Sequence, residues 1–208
     1  MGVILLNKNN HITTGIYLEY QLHQENTYVT EYLDKFHSIF NSITTQYKRT
    51  FYIRFDLRFP AKHEYDNSAI SKLFTKLNVI LKSKQYNQHS AKYLWVREQN
   101  NSELPHYHCV LFLDYSKTRS AGCPNGSRAG GLMKVINDLW CRILDTESSG
   151  MVHLASSNPI YKYIDRDNVK SKQEIFKHCA YLCKVKTKAY NIAGKNIGCS
   201  QIKPSNQK

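Results

Sequence analysis

His106 and His108 are separated by one residue in the run Glu-Leu-Pro-His-Tyr-His-Cys-Val-Leu-Phe-Leu-Asp. Apolar Cys109, Val110, Leu111, Phe112 and Leu113 follow at once, so the run reads as a buried β-strand. Side chains alternate along a strand, which puts both imidazoles on one face and Tyr107 on the other. Two neutral imidazoles form a hydrogen-bonded core pair or part of the ligand set of a divalent ion; the second use needs another ligand nearby. Glu98 is placed to supply it. It ends the run Tyr93-Leu94-Trp95-Val96-Arg97, and Gln99-Asn100-Asn101-Ser102 reads as a turn that folds the two runs into an antiparallel hairpin. By ligand chemistry alone, two histidines and a carboxylate suit zinc as well as a harder ion.

A second reactive group, Tyr181, lies in a stretch expected to be helical from Lys170 to about Lys188. On that helix Ile175, Phe176, Cys179, Leu182 and Cys183 form one apolar stripe, and Tyr181 falls almost opposite it with Lys177, Lys184 and Lys188 nearby. Attack on a phosphodiester by a phenol calls for this company, since cations favour phenolate and hold phosphate while a covalent intermediate splits one hard step into two. Tyr161 and Tyr163 follow Pro159 in an expected turn and Tyr190 lies where the helix should end, so Tyr181 is the preferred nucleophile. His178 with Cys179 and Cys183 is a conceivable ligand group, but both cysteines fall on the apolar stripe and read as packing. From residue 168 onward there are nine lysines against one acidic residue, Glu174, a platform for a polyanion.

Whole-chain composition agrees. A formal net charge of +13 and a pI near 9.4 over 208 residues favour a polyanionic partner, nucleic acid before acidic membrane. The fifteen tyrosines and eight phenylalanines supply core and cross-strand packing and, where exposed, faces for unpaired bases. No apolar run approaches a membrane span, and the N-terminal Met-Gly-Val-Ile-Leu-Leu is too short for a signal sequence, so a cytoplasmic protein is expected. Six cysteines, at 109, 123, 141, 179, 183 and 199, lack zinc-ribbon spacing and read as reduced.

The elements that must hold these groups are legible by period. Residues from about 17 to 47 are helix-permissive, with Tyr28, Tyr32, Phe36, Ile39, Phe40 and Ile43 at helical spacing. Phe51 to Phe59 alternates strictly and stops at Pro60, the clearest strand in the chain. A helix is expected from Ser68 to about Lys84 on Ile70, Leu73, Leu77 and Ile80 or Leu81. After the hairpin, residues 116 to 131 form a loop rich in Gly, Ser and basic residues that could line a substrate path, with Lys117, Arg119 and Arg128 as phosphate contacts beside Lys177 and Lys188. A helix from Leu132 to Leu144, a strand over 150 to 155 and the lysine-rich helix complete the order, and residues 191 to 208 read as frayed. This predicts an α+β fold, a central antiparallel sheet with flanking helices gathered on one side. Three sections are expected: residues 1–48 as an N-terminal helical segment packed on the core, 49–190 as the main domain, and 191–208 as a basic tail.

Over roughly residues 49 to 190 the chain resembles the HUH endonucleases, specifically the single-tyrosine initiators of rolling-circle replicons, and most of all the inovirus Gp2 and YagK/YfjJ group of phages and prophages. Phe-Asp-Leu-Arg-Phe (55 to 59) is similar to the first-strand motif, Pro-His-Tyr-His-Cys-Val-Leu (105 to 111) to the HUH motif, and Ala-Tyr-Leu-Cys-Lys (180 to 184) to the tyrosine motif. Glu98 stands where related initiators often carry a third acidic or polar ligand. The resemblance implies that Glu98, His106 and His108 hold Mg²⁺ or Mn²⁺ and that Tyr181 nicks and rejoins single-stranded DNA or an origin hairpin through a 5′-phosphotyrosine link. It also implies that Lys184, with Lys188 in reserve, steadies phosphate or phenolate. Many members place lysine four residues after the tyrosine; here that position is Val185 and the lysine is at three. No helicase domain follows in this sequence, so unwinding is expected of a host helicase and extension of a host polymerase. A transposase or relaxase of the same fold, or a non-catalytic DNA-binding regulator, is the alternative.

Overall fold

A computed structural model of the chain describes residues 12–61, 63–64, 68–99, 104–122, 131–147, 150–155, 163–186, 188 and 194–202. In chain order the elements are β1 (Ile12–Thr14), β2 (Ile16–Tyr17), β3 (Tyr20–Gln21), β4 (Thr27–Val29), α1 (Thr30–Gln46), β5 (Arg49–Leu57), α2 (Ser68–Lys82), β6 (Lys92–Glu98), β7 (His106–Asp114), α3 (Leu132–Ile143), β8 (Val152–Leu154), β9 (Tyr163–Asp165), α4 (Val169–Ala180), a 3₁₀ turn (Tyr181–Cys183) and β10 (Ile197–Cys199).

A six-stranded antiparallel sheet carries the order β10-β6-β7-β5-β8, with β9 also paired to β5. The two longest strands, β5 and β7, lie side by side at its centre, Phe51 facing Leu113 and Leu57 facing Tyr107. Because β5 and β6 both run antiparallel to β7, they are parallel to each other, and α2 makes the crossover between them. The sheet thus has the α+β character expected of its sequence.

Helices cover both of its faces rather than one. Phe51, Ile53, Phe55 and Leu57 of β5 join Trp95, Tyr107, Cys109, Leu111 and Leu113 against Ile70, Leu73 and Leu77 of α2 and Met133, Ile136 and Trp140 of α3. The opposite face, with Tyr52, Leu94, Val96, Val110 and Phe112, packs on Leu33, Phe36, Phe40 and Ile43 of α1 and Ile175 and Phe176 of α4. Buried Leu and Phe side chains contribute about 1.5–3 kcal/mol each, so each face is a substantial core. The helical period of residues 17 to 47 is realised only from Thr30; before it the chain makes short strand pairs, β1 with β4 and β2 with β3.

Two further differences concern short strands. Tyr163, expected in a turn, is in β9 and pairs with Phe51. Ile197–Cys199, expected to fray, forms the sheet edge beside β6, with Gly198 opposite Trp95. Glycine is required there by space: a Cβ at 198 would stand 2.4 Å from the Trp95 indole. Gly198→Ala is therefore expected to cost about 1–3 kcal/mol by overpacking, measured by urea denaturation followed through tryptophan fluorescence.

Candidate metal centre and tyrosine site

The β6–β7 hairpin pairs Glu98 directly with His106, as the sequence predicted. His106 and His108 project on the α1/α4 side of the sheet, while Tyr107 is fully buried on the other. The Nε2 atoms of His106 and His108 are 3.1 Å apart, and His108 Nε2 is 3.2 Å from Glu98 Oε2. Ligand atoms of Glu98, His106 and His108 all lie within 4.8 Å of one another. Ligands at about 2.0–2.2 Å from one ion stand roughly 3–4 Å from their neighbours, so the His106–His108 and His108–Glu98 spacings match and the three side chains form a candidate divalent-cation site.

Asp56 of β5, which faces His108 across the ladder, completes the orientation. Its Oδ1 accepts from His108 Nδ1 at 2.6 Å. With that nitrogen committed, Nε2 of a neutral His108 presents its lone pair toward His106 and Glu98. Proton and metal compete for this set. Burial lowers the proton affinity of His108, but the hydrogen bonds to Asp56 and Glu98 override it and raise the pKa. His106 is shifted down, by burial and then by the neighbouring His108.

Glu98 is 2% exposed, and two lysines from beyond α4 converge on it. Lys188 donates to Oε1, and Lys184 Nζ is 3.6 Å from Oε2. Burial pushes the Glu98 carboxyl up, yet the hydrogen bond from His108 and the charge of Lys188 hold it well below the usual carboxylate range. Lys188 is itself shifted down by burial, with Glu98 working the other way. The expectation that Lys188 contacts nucleic acid is therefore corrected: its side chain is wholly buried and its ammonium faces the protein. The cause is local. The predicted helix ends at Ala180, and after the 3₁₀ turn the chain extends, Lys184 bridging Tyr28 and Lys188 bridging Glu98.

Tyr181 stands where α4 passes into the 3₁₀ turn and is 37% exposed, in keeping with its expected position off the apolar stripe. Lys184 Nζ lies 3.9 Å from its ring centroid, and the Arg54 guanidinium lies 5.9 Å from it. His23 meets the ring edge to face at 6.3 Å. Arg54 also donates to the His178 carbonyl at 2.9 Å, tying β5 to the end of α4. Arg54, Asp56 and His23 were not anticipated. The alternation of β5 placed Arg54 and Asp56 on one face, but only the β5–β7 register reveals what that face meets.

The remaining predicted contacts lie elsewhere. Lys177 lines a separate cleft of about 300 Å³ with Glu25 and Gln21. Lys117, which donates to the Asn87 carbonyl, and Arg119 follow the far end of β7, roughly 26 Å from His106 at about 3.3 Å per residue. Arg128, Tyr161 and Tyr190 fall outside the described residues. Cys179 and Cys183 are buried among apolar side chains, as read from the stripe, and the described cysteines are free.

Three outcomes follow from these charges. Lys184→Met should tighten Mn²⁺ binding about tenfold or more in calorimetry, since unit charges about 4 Å apart interact by about 4 kcal/mol at an effective dielectric of 20; Lys188→Met should lower folding stability by about 3 kcal/mol through a broken buried pair. The third outcome concerns His178, whose pKa is lowered to about 4 by burial, then by Arg54 and His23. The unfolded chain binds this proton near pH 6.5 and the folded one only near 4, so stability falls as pH drops through that window. Urea denaturation at pH 7 and pH 4 should show His178→Gln losing less stability than the parent, by on the order of 1–3 kcal/mol.

The chain is similar to two proteins of Escherichia coli (strain K12), uncharacterized protein YfjJ and uncharacterized protein YagK, at 24% identity to each. Each match covers 84% of this chain, with 96% of YfjJ and 94% of YagK. No solved structure matches. The family model for the YagK/YfjJ C-terminal domain spans residues 13–200, from β1 past β10 and across the whole of the site described above, and the chain belongs to that family.

Proposed function

We propose that this chain is a metal-dependent DNA-nicking replication initiator, cleaving and rejoining single-stranded DNA through a phosphotyrosine link in rolling-circle replication. The observation that carries the reading is the position of Lys184. Its ammonium stands between the Tyr181 ring, at 3.9 Å, and the Glu98 carboxylate, at 3.6 Å, so one cation borders both the nucleophile and the ligand set. A phosphodiester is the substrate class that uses both at once.

In the proposed step Tyr181 Oη bonds to the scissile phosphorus as the P–O3′ bond breaks. The phenolic proton passes to water, and the departing 3′ oxygen is protonated to a free hydroxyl. Lys184 and Arg54, beside the ring, hold the phosphate and offset its developing charge. Glu98, His106 and His108 would hold Mg²⁺ or Mn²⁺, a Lewis acid for the phosphoryl oxygens. The reverse attack by a 3′ hydroxyl on the phosphotyrosine rejoins the strand and restores Tyr181. The fit to zinc is equal on ligand type; a hard ion is proposed because phosphate oxygens share the site. The protein would act in the cytoplasm with a host helicase and polymerase. No described helix is long and apolar enough to cross a membrane.

A non-catalytic regulator is the competing reading, favoured by the pairing of Glu98 with Lys188, which gives that carboxylate a structural use. The test uses end-labelled oligonucleotides tiling both strands of the DNA element that encodes the chain, with Mg²⁺, Mn²⁺, Zn²⁺ or EDTA, resolved on denaturing gels. Metal-dependent cleavage with a covalent adduct is expected, and Tyr181→Phe, which removes only the hydroxyl, should abolish the adduct while retaining DNA binding. An adduct that persists in Tyr181→Phe assigns the nucleophile to another tyrosine; binding without cleavage under every metal favours the regulator.

A further inference from the structure

The end of the sheet remote from Glu98, His106 and His108 carries a second concentration of cations and rings. There the end of β7 meets the start of β5 and β9, and Tyr47, Lys48, Arg49, Asp114, Tyr115 and Arg119 line a groove of about 550 Å³. Beside it Tyr115 and Tyr163 lie ring to ring, centroids 4.5 Å apart at 40° between planes. Arg119 lies over Tyr115 at 5.8 Å and Arg49 over Tyr163 at 5.4 Å. Both tyrosines are half-buried, so their rings are held, while both arginines and Lys48 are exposed.

The nearby acids are already engaged. Asp114 Oδ1 accepts from the backbone nitrogen and hydroxyl of Ser116, and Lys117 lies 3.9 Å from its Oδ2. Asp165 accepts from the Asp167 nitrogen and stands 3.6 Å from Arg49 Nε. What the groove offers a ligand is therefore aromatic surface and positive charge. Those are the two components of single-strand recognition: ring and guanidinium planes stack on unpaired bases, and cations hold the phosphates between them. A duplex, with its bases already stacked on one another, satisfies only the second.

We propose that this groove is a binding site for single-stranded nucleic acid, distinct from the metal centre, in which bases stack on the Arg119–Tyr115–Tyr163–Arg49 array and Lys48 with Arg119 holds the flanking phosphates. The site goes beyond the nicking activity, since it uses neither the metal ligands nor Tyr181.

Fluorescence anisotropy of the full chain with labelled oligothymidylate, and with a mixed-sequence duplex of equal length, tests it in EDTA so that the metal centre takes no part. Tyr115→Leu should weaken the oligothymidylate complex about 5- to 150-fold, the range that base stacking supplies, with duplex affinity unchanged. Arg119→Gln, at an exposed position that spares the core, should weaken it too and reduce the log–log salt slope by about 0.7. Arg119→Gln binding as tightly as the parent, or a Tyr115→Leu variant of parental melting temperature losing single strands and duplex equally, overturns the proposal. Thymidine monophosphate competing at the oligonucleotide's own concentrations would also overturn it, in favour of a nucleotide pocket. Absence of cleavage in the gel assay leaves these titrations unaffected, so the two readings fail separately.

Discussion

The Glu98 carboxylate lies at the bottom of the α1/α4 face with almost no contact with water, and an ion so placed needs its charge answered within the protein. Three directions answer it: His108 from the neighbouring strand, Lys184 from just past the 3₁₀ turn, and Lys188 from the extended segment beyond. His108 is in turn held by Asp56 on the next strand. One desolvated charge thus ties together β5, β6, β7 and the polypeptide after α4. Formally the two carboxylates and two ammonium groups cancel, with the imidazoles neutral. A divalent ion brought into such a cluster leaves it net positive, and the natural guest for that excess is an anion with more than one oxygen to offer.

The sheet divides its labour by face. The α2/α3 side of β5 and β7 is largely apolar and carries no ionisable group of the site; the α1/α4 side mixes Tyr52, Val110 and Phe112 with Arg54, Asp56, His106 and His108. Rigid packing beneath therefore supports polar groups above. Both imidazoles rest on β7, His108 within its ladder to β5 and His106 opposite Glu98 of β6, where neighbouring ladder bonds limit their movement.

Much of this was legible in residue patterns, because local period and turn chemistry act within a few residues. The hairpin that pairs Glu98 with His106, the strand at residues 51 to 57, and the helices at 68 to 82 and 132 to 143 are all of that kind. What escaped depends on distant partners. Asp56 reads as an ordinary polar alternation until β5 is laid beside β7. Lys188 reads as a surface cation because its helical pattern continues past Ala180; the buried carboxylate that draws it inward lies 90 residues earlier in the chain. The short strands β9 and β10 have too few residues to show a period, and exist because longer strands offer them an edge.

That long separation also sets an order of events in folding. The hairpin bearing Glu98 closes through local contacts, which form fast, whereas its two ammonium partners arrive only when the polypeptide after α4 docks, with Val185 donating to the Thr27 carbonyl and Lys184 bridging Tyr28. Contacts of such high sequence separation are slow to form. During synthesis from the N-terminus the central strands emerge well before those lysines, so until then the carboxylate has only His108, on the same hairpin, of its three partners. When the segment after α4 docks, it brings the two ammonium groups to the carboxylate and sets Tyr181 beside Lys184.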